Sequence, residues 1–183
     1  MVRLIMLGGT GSGKGTQSQI LSEKLQIPII STGDLIRKGV KEKTELGNMV
    51  KSYFEKGELI PDPILIQFMK ERLTQSDLKQ GWILEGYPRT AFQAEELDFL
   101  LEELNQKIDW AIYLKVSEEI MMERSLKRSL NDDNPEALKT RIAMFFKSTF
   151  PILEYYEKKH HLLTITGEET LEIVNQEIMN KVN

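Results

Sequence analysis

No cysteine occurs in the 183 residues, so disulfide bridges and thiolate zinc sites are both excluded. A reducing cytoplasm is the simplest home for such a chain. Positive charge is also in deficit: the formal net charge is −4 with a pI near 5.4. General affinity for nucleic acid or for an anionic membrane needs a basic surface that displaces counterions, so neither is expected as a partner. Long apolar runs are missing too. Val2 to Leu7 is too short for a membrane span or a signal core, and it runs into glycines rather than a cleavage site, so nothing marks the chain for export. No repeat, low-complexity tract or proline-rich linker interrupts the chain, which argues against a second independent domain.

What is present reads as strands alternating with helices. Short β-type runs occur at Arg3 to Leu7, Ile27 to Ile30, Trp82 to Leu84, Trp110 to Leu114 and Leu162 to Ile165, with longer helical patterns between them. That alternation implies a three-layer α/β fold with a five-stranded parallel sheet covered on both faces, as one domain spanning 1–183. Asp62-Pro63 suggests a capping carboxylate ahead of a helix carrying Ile64, Leu65, Phe68, Met69 and Leu73. Ser117 before Glu118 and Glu119 suggests another helix start, with acids at the positive end of the dipole. Trp82 and Trp110 are expected in the core. Two stretches depart from the alternation: residues 31–60 are helical without a strand of their own, and residues 125–135 include a polar turn rich in Asn and Asp.

The chemistry concentrates first in Gly8-Gly9-Thr10-Gly11-Ser12-Gly13-Lys14-Gly15-Thr16, between the first strand and a helix with Ile20, Leu21 and Leu25 on one side. Closely spaced glycines let successive backbone N–H groups converge on a phosphate, the helix N-terminus adds partial positive charge, and Lys14 reaches the outer phosphates. Tight packing alone would not call for a lysine after Gly13. Where the general phosphate-loop pattern has Ser or Thr as a magnesium ligand, this chain has Gly15, with Thr16 next. No Asn-Lys-x-Asp base-reading motif is present. The third strand ends in Gly86-Tyr87-Pro88-Arg89, which puts Arg89 at the carboxyl edge of a parallel sheet, the same crevice that Lys14 faces.

Gly-Lys-Gly-Thr, Ser31-Thr32-Gly33-Asp34-Leu35-Ile36-Arg37, Gly57-Glu58-Leu59-Ile60-Pro61-Asp62, Glu85 to Arg89 and Gln93 occur in an order that resembles the adenylate kinases with a short lid, across essentially the whole chain. The resemblance implies a P-loop kinase fold with 31–60 as an AMP-binding insertion and 125–135 as the lid. It implies phosphoryl transfer from Mg-ATP to AMP giving two ADP, with Mg²⁺ held mainly through water and nucleotide. AMP is then expected against Thr32, Gly33, Arg37, Glu58, Leu59, Ile60, Gly86, Tyr87, Pro88, Arg89, Gln93 and Arg141. ATP is expected against Gly11, Ser12, Gly13, Lys14, Gly15, Thr16, Arg124, Arg128 and Glu169. Lys14, Arg89, Arg124, Arg128 and Arg141 are the expected catalytic set, and a monomer is expected.

The related UMP/CMP kinases resemble the pattern but generally carry Ala where Thr32 stands and Asn where Gln93 stands, so both positions favour AMP. Two positions depart from the family. Glu85 stands where an Asp near the magnesium water shell is usual, and Leu130 stands where short-lid members carry another arginine before Asp132-Asp133. Arg124 and Arg128 are four apart and share one helix face. Lys139 is assigned to the surface. His160 and His161 have no ligand cluster around them in the sequence.

Overall fold

The structure is a computed structural model that describes residues 1–56, 58, 60–128 and 134–182, with Ser148 described by its backbone alone. Leu59, Leu130, Asp132 and Asp133 therefore lie outside the described residues.

Five strands form one parallel sheet in the order β2-β3-β1-β4-β5: β1 Val2–Leu7, β2 Ile29–Ser31, β3 Gly81–Glu85, β4 Trp110–Lys115 and β5 Leu162–Thr166. All five fall where the apolar runs predict. The second begins later than expected because Pro28 has no N–H for a ladder and contributes only its carbonyl, which accepts from the Ile83 N–H at 2.9 Å. Alternation along β1 divides the core: Ile5 and Leu7 face one layer, Leu4 and Met6 the other. Leu4 and Met6 pack with Leu21 of α1 (Lys14–Leu25) and with Val174 and Ile178 of α9 (Leu171–Val182). Ile5 and Leu7 belong to the cluster holding α4 (Asp62–Leu73), α5 (Ala91–Glu103) and α8 (Pro151–Lys158). Helices thus cover both faces, as a sheet of near-continuous apolar strands requires.

The 31–60 stretch folds as α2 (Thr32–Lys41) and α3 (Glu45–Lys56). The two pack so closely that a Cβ on Gly47 would stand 2.1 Å from the Gly39 carbonyl oxygen, so no larger residue fits at 47. After β4 come α6 (Glu118–Arg128) and α7 (Pro135–Met144), and a π-helical turn at Phe145–Thr149 leads into α8. Ser117 stands just ahead of α6 as expected, its carbonyl accepting from the Met121 N–H at 3.0 Å. Trp82 is fully buried and its indole N–H donates to Gln106 Oε1 at 3.2 Å. Trp110 is half-buried, edge-on to the His161 ring, whose Nδ1 lies 3.0 Å from the Asp109 carbonyl.

The capping assignment at Asp62 is corrected. Pro61 occupies the cap of α4 and Asp62 is already helical. The Ile64 and Leu65 N–H groups that a carboxylate capping from 62 would take both donate to the Pro61 carbonyl, at 3.1 and 3.4 Å, and the Asp62 carboxylate instead accepts from Gln93 Nε2 at 2.6 Å.

Candidate active site

Register brings the carboxyl ends of three strands level: Met6 pairs with Glu85, and Ser31 with Glu85 on the other side. The segments after β1, β2 and β3 therefore open into one cleft, at the edge where parallel sheets bind ligands. Lys14, Arg37, Arg89, Arg128 and Arg141 all line it, together with Thr32, Gly33, Glu58, Ile60, Gly86, Pro88 and Glu85.

Lys14 is the most constrained of the cations. Its ammonium donates to the carbonyls of Gly8 at 2.8 Å and Gly9 at 2.7 Å, so the loop holds its own lysine at the cleft floor. Desolvation pushes the Lys14 pKa down to about 8; Glu85 opposes this, while Arg89 and Arg128 add to it. Gly11 has φ 74°, and a Cβ there would stand 2.2 Å from the Met121 carbonyl oxygen, so the loop can tuck under α6 only with glycine at this position. Above Gly13 a Cβ would meet nothing within 4 Å, and Gly15 and Thr16 are exposed at the start of α1. Ser12 is buried and its hydroxyl has no partner among the described residues.

Arg89 is held by its own loop, its Nε donating to the Gly86 carbonyl at 2.8 Å. Burial, then Arg141, lower its pKa while Glu85 raises it, yet a guanidinium stays charged at any physiological pH. Arg37 donates to Asp34 Oδ1 through Nε at 3.2 Å and Nη2 at 2.5 Å. Arg128 lies across the loop, Nη2 to Thr10 Oγ1 at 3.4 Å. Thr32 is buried in the cleft wall with a hydroxyl that has no partner among the described residues.

Other expected residues stand back from this lining. Arg124 does not reach the cleft; its Nη1 donates to the Gly167 carbonyl at 2.8 Å, tying α6 to the turn that carries Glu169. That turn lies against the phosphate loop, since a Cβ on Gly167 would stand 3.2 Å from the Ser12 carbonyl oxygen. Tyr87 is core, its hydroxyl donating to the Gln93 carbonyl at 3.2 Å. Gln93 is fully buried with both ends of its amide engaged: Oε1 accepts from the Arg89 N–H at 2.7 Å, and Nε2 donates to Asp62. In this conformation it supports Arg89 from behind. Phe54, which belongs to none of the motifs, lines the cleft beside Arg37 and Arg141, one helical turn after buried Val50 on α3.

A family model described as adenylate kinase matches residues 6–161. The chain is 55% identical over 181 residues to adenylate kinase 2 of Synechocystis sp., covering 99% of this chain and 100% of that protein. It is 54% identical over 178 residues to adenylate kinase 2 of Nostoc sp., with 97% of each covered. At greater distance, the adenylate kinase of Bifidobacterium longum is 40% identical, with 98% of each covered. The chain belongs to the adenylate kinase family. It is accordingly a nucleoside monophosphate kinase that transfers a phosphoryl group between ATP and AMP, and its five-stranded parallel sheet between helices is consistent with the P-loop kinase fold of that family. No helix among the described residues is long and apolar enough to cross a membrane.

Proposed function

We propose that the cleft holds two nucleotides end to end and moves the outer phosphoryl group of Mg-ATP to AMP, reversibly from two ADP. The observation that carries this is the convergence of Lys14, Arg37, Arg89, Arg128 and Arg141 on one cleft from separate parts of the chain. AMP takes the wall built by α2, α3 and Arg89, with its phosphate toward Arg37, Arg89 and Arg141. The Thr32 hydroxyl, without a partner among the described residues, meets the base, and Glu58 and Ile60 line the same wall. ATP takes the phosphate loop, from Gly11 to Thr16, with Lys14 and Arg128 over its phosphates. Arg124 joins through the turn it anchors, and the backbone near Glu169 lies toward the adenine side.

Transfer between two anchored phosphates needs no protein nucleophile; it depends on alignment and on neutralising the charge that develops on the moving group. The residues present fit a magnesium ion held through water. Glu85 lines the cleft, and its carboxylate lies 3.6 Å from where a Cβ on Gly15 would stand. No group of three or more potential ligating side chains occurs among the described residues. The ion supplies charge neutralisation across the phosphates of ATP; the side chains orient them. Residues 31–60 serve as the AMP-binding insertion and 125–135 as the lid. One chain supplies both walls, so a monomer suffices, and a cytoplasmic location suits a chain without cysteine.

A coupled assay with Mg-ATP and a panel of AMP, UMP and CMP tests the reading. ADP formation with AMP alone is the expected result. Comparable efficiency with CMP would move the acceptor to pyrimidines, and no turnover with any monophosphate would leave nucleotide binding without transfer.

A further inference from the structure

Arg37 and Arg141 come from separate helices, α2 and α7, yet each places its guanidinium carbon 5.8 Å from the centre of the same ring, Phe54 of α3. Phe54 is half-buried and lines the cleft, and α3 packs against both α2 and α7. Two guanidinium groups gathered for one phosphate repel each other while the site is empty. A second carboxylate, beside the Asp34 that already accepts from Arg37, would compete with the incoming phosphate, and an aliphatic side chain would attract neither cation. The negative face of an aromatic ring attracts each cation while leaving its formal charge and its hydrogen-bond donors available.

We infer that Phe54 is a positioning residue, its ring holding Arg37 and Arg141 in the orientation that receives the monophosphate. This role rests on the acceptor reading above and assigns a specific part of it to a residue that touches the arginines. Two contacts at partly exposed sites, each of order 0.5–1 kcal/mol, set the expected scale at about tenfold in monophosphate capture, or about 1.4 kcal/mol.

The test uses the full chain with Phe54→Leu, which keeps an apolar side chain without the ring, and Phe54→Tyr, which restores the ring. Initial rates are measured with AMP and ATP varied in turn. Phe54→Leu is expected to raise KM for AMP about tenfold, with KM for ATP changed by less than about twofold; Phe54→Tyr is expected to recover most of the loss. The arginine side-chain methylene resonances of Arg37 and Arg141 should also lose a ring-current shift in Phe54→Leu. An unchanged KM for AMP in Phe54→Leu, a Tyr variant as impaired as the Leu variant, or equal losses for AMP and ATP would each overturn the role. If Phe54→Leu does not fold, Phe54→Met carries the same comparison. Failure of the acceptor reading shows differently: the native chain itself would then make no ADP from AMP.

Discussion

The phosphate loop and the arginine wall face each other across one cleft but are built in opposite ways. The loop is local. Lys14 is held by the carbonyls of Gly8 and Gly9, within a few residues of itself, and the glycines that permit this are its sequence neighbours. The wall is assembled from segments far apart in the sequence: Arg89 and Arg37 are each held by a group three residues back, Gly86 and Asp34, but Arg37 and Arg141 also share the ring of Phe54, which belongs to neither motif. A local cradle fails when its own residues change, whereas a distributed wall is also vulnerable through residues that never touch the nucleotide.

The largest expected effect tests the local side. Lys14→Ala removes a preorganised cation and should lower turnover at least about a hundredfold while leaving the fold intact. Near-normal turnover would mean that the wall alone stabilises the moving phosphoryl group.

The same lysine predicts a pH profile. Its folded pKa is about 8, below the ordinary 10.5, so the free enzyme loses its Lys14 charge as pH rises through 8. kcat/KM for ATP should then fall by about tenfold per pH unit above that value, as expected for loss of one essential proton. kcat should persist to higher pH, because a bound phosphate raises the pKa again. On stability the sign is opposite. Between about 8 and 10.5 the unfolded chain binds more protons at this group than the folded one, so Lys14 destabilises fully below 8 and that cost fades as pH rises. An ATP profile flat to pH 10 would show that the loop does not desolvate its lysine.

The distributed side is sharpened by Gln93→Leu. Losing the amide leaves the Arg89 N–H and the Asp62 carboxylate without this partner, an expected cost of about 2 kcal/mol read as a shifted denaturant midpoint. Unchanged stability would mean that the arginine loop needs no support from behind.

The smallest effect is expected at Thr32. Its buried hydroxyl has no partner among the described residues, so Thr32→Val should leave thermal stability unchanged or slightly higher. Loss of one hydrogen bond to the base should weaken AMP binding by about fivefold, measurable by calorimetry. A destabilised variant with unaltered AMP binding would assign this hydroxyl to the fold rather than to the ligand.

Much of the fold and half of the site are legible in the sequence for reasons of range. Apolar strand runs, the Ser117 helix start and the phosphate loop are each determined within a few residues, by alternation, by acidic residues at the positive end of a helix dipole and by glycine's freedom at positive φ. Arg89 could be placed because the end of a parallel strand defines an edge. Asp62 could not: its carboxylate reads as a cap until a partner 31 residues away, Gln93, takes it. Gln93 is set toward AMP by resemblance alone, and only packing shows its amide engaged by Arg89 and Asp62, while no motif marks Phe54, which stands out only once two arginines lie over its ring. Short-range chemistry and strand order were therefore set by the sequence itself. The committed partners of buried polar groups, and which cations share a neighbour, were decided only by tertiary structure, because a hydrogen bond or a cation over a ring is chosen by competition among groups that folding alone brings within reach.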